Sequence, residues 1–354
     1  MVKIERLPSG SYRARVHLGG GKYKSITGKD KKAVQLEAAQ YEANIEAAQA
    51  KENDPYRGMT VGEAMERYID LKSAVLSPST LRGYDIIRRN RLPHLCTMTL
   101  SDITGEDVQR AINDDALNHS PKSVRNAHGF VSAVLGVYRG DLKLDTTLPQ
   151  KKKPKISIPT QAEIDTMFEY FKGTDMEIPF ALAACCGLRE SEISGLKWEN
   201  VDYEHNRILI TEAMVQNKEH TWVYKDLTKS ESGDRSIRMY PFIRKILEAA
   251  EHDGKYVTRL KPVSIGNKFP KALIKMGLPH YRFHDLRHYL VSVMLSLNIP
   301  KMYIADYVGH ADEHMIDTVY GHIMATKKHE VEDIMEAYFS KSATISDTNT
   351  DKCR

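Results

Sequence analysis

The first part of the chain alternates polar and apolar residues and then changes period, which predicts a small sheet followed by one helix. Residues 11–18 alternate, glycines occupy 19–21, and residues 22–27 resume the pattern of a β-hairpin. Residues 2–7 predict a third strand, because two strands alone are rarely stable. Residues 31–51 contain neither Gly nor Pro and predict a helix laid against the sheet. Its apolar stripe consists of Val34, Ala38, Tyr41 and Ile45.

Residues 59–140 carry repeated helix-start signals and predict four or five short helices. In each signal, a side-chain oxygen can accept a hydrogen bond from a free N–H of the first turn, or proline occupies the first helical position. The signals are Thr60 with Glu63, Ser77 with Pro78, Thr104 with Asp107, and Ser120 with Pro121. Proline-containing polar segments at 53–58 and 150–159 predict linkers on either side.

The remaining residues predict a helical region interrupted by short strands. Thr160 with Glu163 forms a further helix-start signal, and helices dominate again up to about residue 339. Strand-like runs lie at 207–211, 221–224 and 235–239. The expected fold class is therefore mainly α with small β elements, ending in a mixed α/β domain. The predicted domains are 1–55, 59–150 and 155–340, followed by a disordered tail at 341–354.

Composition adds that the chain is an ordinary globular protein. At 354 residues it exceeds the size at which one hydrophobic core keeps growing, so more than one domain is expected. With 41% hydrophobic and 28% charged residues it is not disordered, and no apolar run is long enough to cross a bilayer. The few cysteines indicate free thiols in a reducing compartment, so we expect a soluble cytoplasmic protein without a membrane partner. They are Cys96, Cys185, Cys186 and Cys353.

The formal charge of +4 is concentrated at the beginning of the chain. Residues 1–58 hold 11 Lys and Arg against 7 Asp and Glu, whereas the remaining residues are balanced. Such a module either binds a polyanion or has an ordinary surface, and charge alone leaves both interpretations open. Within the predicted sheet, Arg13 and Arg15 share one face at period two, as do Lys22 and Lys24 on the partner strand. A basic sheet face of this kind either enters a DNA groove or is solvated.

Five segments of the last region carry candidate chemistry. They are Gly187-Leu188-Arg189-Glu190-Ser191-Glu192, Thr228-Lys229-Ser230, His284-Asp285-Leu286-Arg287-His288, Gly309-His310 and Tyr320. The spacing of His284 and Arg287 places both on one helix face, and Arg189 begins another helix. The guanidinium groups of Arg189 and Arg287 can converge on one phosphate, since the planar fork of arginine makes bidentate contacts.

Taken together, these segments predict phosphoryl transfer to a tyrosine. Two arginines neutralise the charge of a pentacoordinate phosphorus without a metal ion. A tyrosine hydroxyl such as that of Tyr320 becomes a competent nucleophile when nearby positive groups stabilise its phenolate. Lys229, on a predicted turn, is suited to protonate the leaving oxygen. Each segment alone is a weak signal, and the prediction depends on their combination.

The order of Arg, Lys, His-x-x-Arg, Gly-His and Tyr resembles the tyrosine recombinase (phage integrase) family, with the similarity spanning residues 155–340. The resemblance implies that Tyr320 attacks a scissile DNA phosphate, forming a 3′-phosphotyrosyl link and freeing a 5′-hydroxyl. It implies no ATP, metal or other cofactor, because bond energy is kept in the link. The residues expected around the phosphate are Arg189, Lys229, His284, Arg287 and His310.

The front of the chain is similar to the DNA-binding regions of the same family. Residues 59–150 resemble the core-site-binding domain, which with the catalytic domain forms a clamp around DNA. Residues 1–55 resemble the arm-type-site-binding domain of integrases from temperate phages and conjugative transposons. The implied partners are double-stranded DNA with core-type and arm-type sites, further copies in a homotetramer, an excisionase and a host DNA-bending protein. The expected role is integration and excision of a mobile element or prophage.

Three other functions compete with this prediction. His284 with His288, and His310 with His314, stand at the i and i+4 spacing of zinc ligands, but Arg287 between the first pair would repel a cation. A type IB topoisomerase uses the same phosphotyrosine without strand exchange, and the separate basic N-terminal module favours recombination over it. A DNA-binding relative without activity would have lost catalytic positions, and all six are present here.

Overall fold

The computed structural model describes residues 3–19, 21–52, 55–151, 157–227, 235–309 and 316. The chain divides into two compact units. Unit 1 comprises Met1–Leu76 and Thr80–Lys152, and unit 2 comprises Ser77–Ser79 and Lys153–Arg354. The predicted tail at 341–354 lies outside the described residues, as do parts of both predicted linkers. The finer division of unit 1 into two domains stays a prediction.

Unit 1 begins with a three-stranded antiparallel sheet in the order β1-β2-β3, covered by one helix, as the alternation predicted. The elements are β1 Ile4–Arg6, β2 Tyr12–Gly19, β3 Lys22–Gly28 and α1 Lys31–Glu52. Val34 and Ala38 of α1 are buried against Ala14, Val16 and Ile26 of the sheet. Strand β1, predicted for residues 2–7, extends only over Ile4–Arg6. Tyr41, which was expected within the apolar stripe of α1, is 36% exposed.

The strand register shows that the four cations predicted for a basic sheet face lie on two different faces. Val16 pairs with Lys24, and Arg15 pairs with Ser25. Paired residues of antiparallel strands point to the same face, so Lys24 lies on the side that α1 covers, together with Val16. Lys22 has the same parity as Lys24, whereas Arg13 and Arg15 belong to the opposite, open face. The four cations therefore do not form a single basic surface.

The rest of unit 1 is helical, with five helices where four or five were predicted. They are α2 Val61–Leu71, α3 Pro78–Asn90, α4 Pro93–Thr97, α5 Gly105–Asn118 and α6 Pro121–Tyr138. Four of them begin at the predicted start signals, whereas no signal had been assigned to α4. The capping box of α2 is formed in both directions, with Glu63 N 3.2 Å from Thr60 Oγ1 and Thr60 N 2.8 Å from Glu63 Oε2. Ser120 likewise caps α6, because its hydroxyl accepts from Ser123 N at 3.3 Å.

Unit 2 combines helices with two small sheets. Its helices are α7 Gln161–Phe171, α8 Glu177–Cys186, α9 Glu190–Gly195, α10 Pro241–Glu248, α11 Pro262–Met276, α12 Asp285–Ser296 and α13 Lys301–Val308. Its strands are β4 Val201–Asp202, β5 Arg207–Ile210, β6 Glu212–Gln216, β7 Trp222–Asp226 and β8 Arg235–Arg238. One sheet has the order β4-β5-β8, and β6 pairs with β7 in a separate hairpin. Strands β4 and β6 were not predicted.

Helix α8 forms the centre of unit 2. Phe180, Leu182 and Ala184 are each at most 1% exposed, and their core cluster includes residues of α7, α9, α10 and α11. The free thiols of Cys185 and Cys186 end this helix, and burial raises the pKa of Cys185 to about 12. Within the described ranges, no helix is long and apolar enough to span a membrane. The end of α8 is where the candidate chemistry begins.

Candidate active site

The site starts at a close-packed turn after α8. Gly187 ends the helix with φ at 67°, a left-handed conformation that favours glycine. A Cβ atom placed there would lie 3.0 Å from Leu290 Cδ2 of α12 and 3.3 Å from Val308 Cγ1 of α13. The turn therefore touches two other helices directly, which fixes the position of the residues that follow it.

Arg189, predicted to surround a phosphate, occupies the N-cap position of α9 and is held at three points. Its backbone N–H donates to Glu192 Oε2 at 2.9 Å, and its Nη1 donates to Glu192 Oε1 at 2.6 Å. Its Nη2 donates to the carbonyl of Gly309 at 2.8 Å. The side chain nevertheless remains 36% exposed, so the guanidinium group is oriented by the protein and still accessible from solvent.

Glu192 is a buried carboxylate with two arginine partners. Its side chain is 3% exposed and receives Nη1 and Nη2 of Arg235 at 3.2 and 2.8 Å, in addition to Arg189. Burial opposes ionisation, but the hydrogen bonds and positive charges of Arg235 and Arg189 outweigh it and lower the pKa of Glu192 to about 2. The carboxylate is therefore ionised at neutral pH and holds both arginines.

Arg287 lies in the first turn of α12 and is 1% exposed. Its Nη1 donates to the carbonyl of Gly187 at 2.7 Å. The guanidinium group thus supports the turn that carries Arg189, and both predicted arginines belong to one cluster. A buried positive charge acts more strongly on its surroundings than a solvated one, since the interior screens it less.

His284 stands immediately before α12, at its N-cap position, and part of its surface is exposed. Desolvation by the surrounding protein lowers its pKa to about 4, assisted by the neighbouring His288, Arg287 and Arg189. The rings of His284 and His288 meet edge to face with centroids 5.0 Å apart. At neutral pH the imidazole of His284 is therefore uncharged and can accept a proton or a hydrogen bond.

The segment that precedes His284 is fixed by two further contacts. Arg282 donates to the buried Asp285 through its backbone N at 2.7 Å and its Nη2 at 2.7 Å. The hydroxyl of Tyr281 donates to Glu163 Oε1 at 3.1 Å, and Glu163 also completes the capping box of α7 with Thr160. The imidazole is therefore supported from both sides along the chain.

The structure brings together three of the six predicted catalytic residues, namely Arg189, His284 and Arg287. The other three, Lys229, His310 and Tyr320, lie outside the described residues. Gly309, the residue before His310, is held by Arg189, so the chain is fixed where it enters that segment. The predicted DNA-binding residues Arg13, Arg15, Lys22 and Lys24 all belong to the N-terminal sheet.

Two members of the cluster were not predicted to have a role. Glu192 lies in the same segment as Arg189, three residues after it. This spacing is the capping-box signal that could have identified Glu192 as a partner of Arg189. Arg235 was placed only at a strand start, and no local signal in the sequence connects it with Glu192. Among the described residues, no three His, Cys, Asp or Glu side chains are grouped so that they could hold a metal ion.

Comparison with known proteins decides the family. The phage integrase family model matches residues 160–329, and the phage integrase N-terminal SAM-like domain matches residues 60–114. The chain belongs to the phage integrase family of tyrosine recombinases. The predictions of fold class and of a DNA strand-transferring recombinase are thereby confirmed.

Relatives of this recombinase are distant in sequence, and the matched share of each chain differs between them. The tyrosine recombinase XerC-like protein of Caldanaerobacter subterraneus subsp. tengcongensis is 23% identical over 368 residues, covering 90% of this chain and 93% of that protein. The integrase of Staphylococcus phage L54a is 25% identical over 174 residues, covering 43% of this chain and 49% of that integrase.

Solved structures share the fold. The Tn1549 transposon integrase in complex with transposon right end DNA has a TM-score of 0.63 at 18% identity, covering 74% of this chain and 95% of that one. A lambda integrase tetramer bound to a Holliday junction has a TM-score of 0.53 at 18% identity, covering 88% of this chain and 96% of the lambda integrase chain.

Proposed function

We propose that this recombinase cuts and rejoins double-stranded DNA through a covalent bond to Tyr320 and thereby integrates and excises a mobile element. The side chains proposed to surround the scissile phosphate are Arg189, Lys229, His284, Arg287 and His310. The observation that carries the proposal is the hydrogen bond from Arg189 to the Gly309 carbonyl, because it ties the residue before His310 to the arginine cluster. The bond from Arg287 to Gly187 adds the second arginine to the same cluster.

The proposed reaction exchanges one phosphate ester for another. The phenolic oxygen of Tyr320 forms a bond to phosphorus while the bond from phosphorus to the 5′ oxygen breaks. Lys229 gives a proton to the departing 5′ oxygen, and the neutral imidazole of His284 accepts the phenolic proton. The reverse step uses the 5′-hydroxyl of the second DNA strand, which restores the tyrosine and joins the new strands. No bond energy is lost, so the step needs no nucleotide cofactor.

The arginines act on the charge that develops at phosphorus. The partly exposed guanidinium of Arg189 is oriented by Glu192 and Gly309 before DNA arrives, so little reorganisation is needed in the transition state. The buried Arg287 provides a second fixed charge below the same turn. Positive charge supplied in this way is the contribution that a metal ion makes in other phosphoryl-transfer sites.

The proposed partners follow from the family and the N-terminal sheet. We propose that the helical part of unit 1 binds core-type sites with unit 2, and that the sheet binds arm-type sites. The solved lambda integrase tetramer on a Holliday junction supports assembly of four copies on paired sites. An excisionase and a host DNA-bending protein complete the proposal. Native mass spectrometry of the protein on paired sites should give four protomers per synapse, and a monomeric synapse would contradict the assembly.

A nicked suicide duplex tests the central step. Such a duplex loses a short 5′-hydroxyl fragment after cleavage and therefore traps the covalent intermediate. We expect Tyr320→Phe to bind the duplex with unchanged affinity and to form no covalent adduct. Mass spectrometry of the trapped wild-type protein should find the nucleotide on the peptide that contains residue 320.

Two tyrosines of α13 provide matched controls. Tyr303 is 60% exposed, and Tyr307 is half-buried with a pKa raised by desolvation. We expect Tyr303→Phe and Tyr307→Phe to retain adduct formation. An adduct that persists in Tyr320→Phe and disappears in one of these controls would assign the nucleophile to α13 instead.

A further inference from the structure

Arg235 is a buried arginine that the proposed mechanism does not use. It is the first residue of β8, and its side chain is 8% exposed. Charged side chains are rarely buried to this degree unless they are paired, and the partner of Arg235 is Glu192, whose side chain is 3% exposed. The pair lies 43 residues apart in sequence, so it is a tertiary contact and not a local one.

The Glu192 carboxylate is shared by two arginines, oxygen by oxygen. Oε1 accepts from Arg189 Nη1 at 2.6 Å and from Arg235 Nη1 at 3.2 Å. Oε2 accepts from the Arg189 backbone N–H at 2.9 Å and from Arg235 Nη2 at 2.8 Å. Each oxygen therefore has one donor from each arginine, and the carboxylate cannot move toward one without loosening the other.

Charge balance explains why the second arginine matters. Arg189 and Glu192 alone sum to zero charge, and a buried carboxylate with a single cation would draw that cation inward. With Arg235 present, the three side chains together carry one positive charge. The surplus lies on the exposed member, Arg189, whose side chain is 36% accessible while the other two are buried.

We propose that Arg235 is a positioning residue that neutralises Glu192 and thereby leaves the charge of Arg189 available to the scissile phosphate. The inference rests on the proposed role of Arg189. Arg235 itself does not touch DNA, and it acts only through the shared carboxylate. Its loss should therefore weaken stabilisation of negative charge on the phosphate, without changing the leaving-group step or the nucleophile.

The test uses full-length protein and two suicide duplexes that differ at one atom. One carries an ordinary scissile phosphodiester, and the other carries a methylphosphonate, in which a methyl group replaces a charged oxygen. We expect Arg235→Gln to slow covalent cleavage of the phosphodiester by about 100-fold, the size of effect seen when one charge-stabilising donor is removed. On the neutral methylphosphonate it should cleave within a few-fold of the wild-type rate, and Arg189→Gln should show the same pattern.

Matched variants separate this role from a folding defect. Arg235→Lys keeps the charge but offers a point charge instead of a fork, so it should retain more activity than Arg235→Gln. Arg244→Gln removes an arginine of the same unit whose partners are Glu248, Asn206 and the Tyr203 carbonyl, and it should cleave both duplexes like the wild type. If Arg235→Gln does not fold by circular dichroism, Arg235→Met, which also removes the charge, is compared on the same two duplexes.

Three results would overturn the inference. The first is a loss of cleavage in the Arg235 variant that is equal on both duplexes, while Arg189→Gln is restored by the methylphosphonate. The second uses a third suicide duplex, in which sulfur replaces the 5′ bridging oxygen: restoration of Arg235→Gln by this duplex and not by the methylphosphonate would place Arg235 in the leaving-group step. The third is cleavage of the phosphodiester at the wild-type rate by a folded Arg235 variant that has lost the charge. Failure of Arg189→Gln itself to be restored would instead contradict the proposed function.

Discussion

The arginines of unit 2 and those of the N-terminal sheet illustrate two different uses of positive charge. Arg287 and Arg235 are almost completely buried, and each donates to a defined acceptor inside the protein. In the sheet, Arg15 is exposed, and Arg13 donates to Glu5, whose side chain is 63% exposed. The first group is held inside the core, whereas Arg15 is solvated and Arg13, with its side chain 26% exposed, is paired at the surface, where salt screens such charges.

The buried cations therefore serve to orient charge at the reacting phosphate, whereas the exposed cations serve the affinity for DNA. Fixed cations lower a barrier only if they already point at the place where charge develops, and burial behind a shared carboxylate provides that orientation. Solvated cations attract the DNA backbone from any direction, and their contribution falls as salt rises. We therefore expect changes in the unit 2 cluster to alter the cleavage rate and changes in the sheet to alter binding.

The largest effect is expected from a substitution at Gly187, in the turn that positions Arg189. Alanine there meets both the left-handed backbone and two side chains within 3.3 Å, and we expect a loss of about 2–4 kcal/mol of unfolding free energy. Displacement of the Arg189 turn by about 1 Å should also slow cleavage by about 100-fold. Thermal unfolding and single-turnover cleavage on the suicide duplex measure the two effects.

Gly277 provides a control with the same backbone and no crowding. It ends α11 with φ at 68°, and a Cβ atom there would meet nothing within 4 Å. Gly277→Ala should therefore lose only the cost of the backbone, about 1–2 kcal/mol, and keep its cleavage rate. Equal cleavage by the two variants would show that contact with α12 and α13 does not position Arg189.

A pH profile sharpens the comparison at His284. Because its pKa is lowered from 6.5 to about 4, the imidazole is neutral over the whole physiological range and becomes protonated only near pH 4. We expect kcat/KM for cleavage to stay level as pH falls to about 5 and then to drop tenfold per unit below pH 4. His284→Asn should cleave slowly, and its kcat/KM should not fall below pH 4. Circular dichroism at each pH checks that the protein is folded. A limb near pH 6.5 would indicate a solvated histidine instead.

The smallest effects are expected in the sheet. Arg13→Ala with Arg15→Ala should weaken binding to arm-type sites and reduce the salt slope of log K by about one per lost phosphate contact. Lys22→Ala with Lys24→Ala removes the same charge from the face that α1 covers, so it should change the slope less. Cleavage at core-type sites should be unaffected in both. Equal slopes for the two pairs would mean that the open face is not the DNA-binding face.

Local signals predicted much of the fold, because their physics is confined to a few neighbouring residues. A capping box needs only two side chains three residues apart, and those at Thr60 and Thr104 both form as the spacing indicated. The same was true of the proline at the start of α6. Strands were harder: β4 has two residues, and β6 is separated from β5 by Thr211 alone, so neither left a distinct pattern.

The candidate site was predictable where motif order carries it and not where packing does. Arg189, His284 and Arg287 were found because their order and spacing resemble those of a known family. The link from Glu192 to Arg235 spans 43 residues and depends on which acidic and basic groups are buried together. Burial of a charge depends on the whole core, so a local pattern carries no trace of it.

The amino-acid sequence by itself determined the N-terminal sheet with its helix, the capped starts of α2, α5, α6 and α7, and the order of the residues proposed to be catalytic, because these depend on neighbours along the chain. Only the tertiary structure decided that Lys22 and Lys24 lie on the opposite face from Arg13 and Arg15, and that one buried carboxylate serves both Arg189 and Arg235. Strand register and charge sharing arise from contacts between distant segments, where desolvation and pairing compete over the whole folded chain.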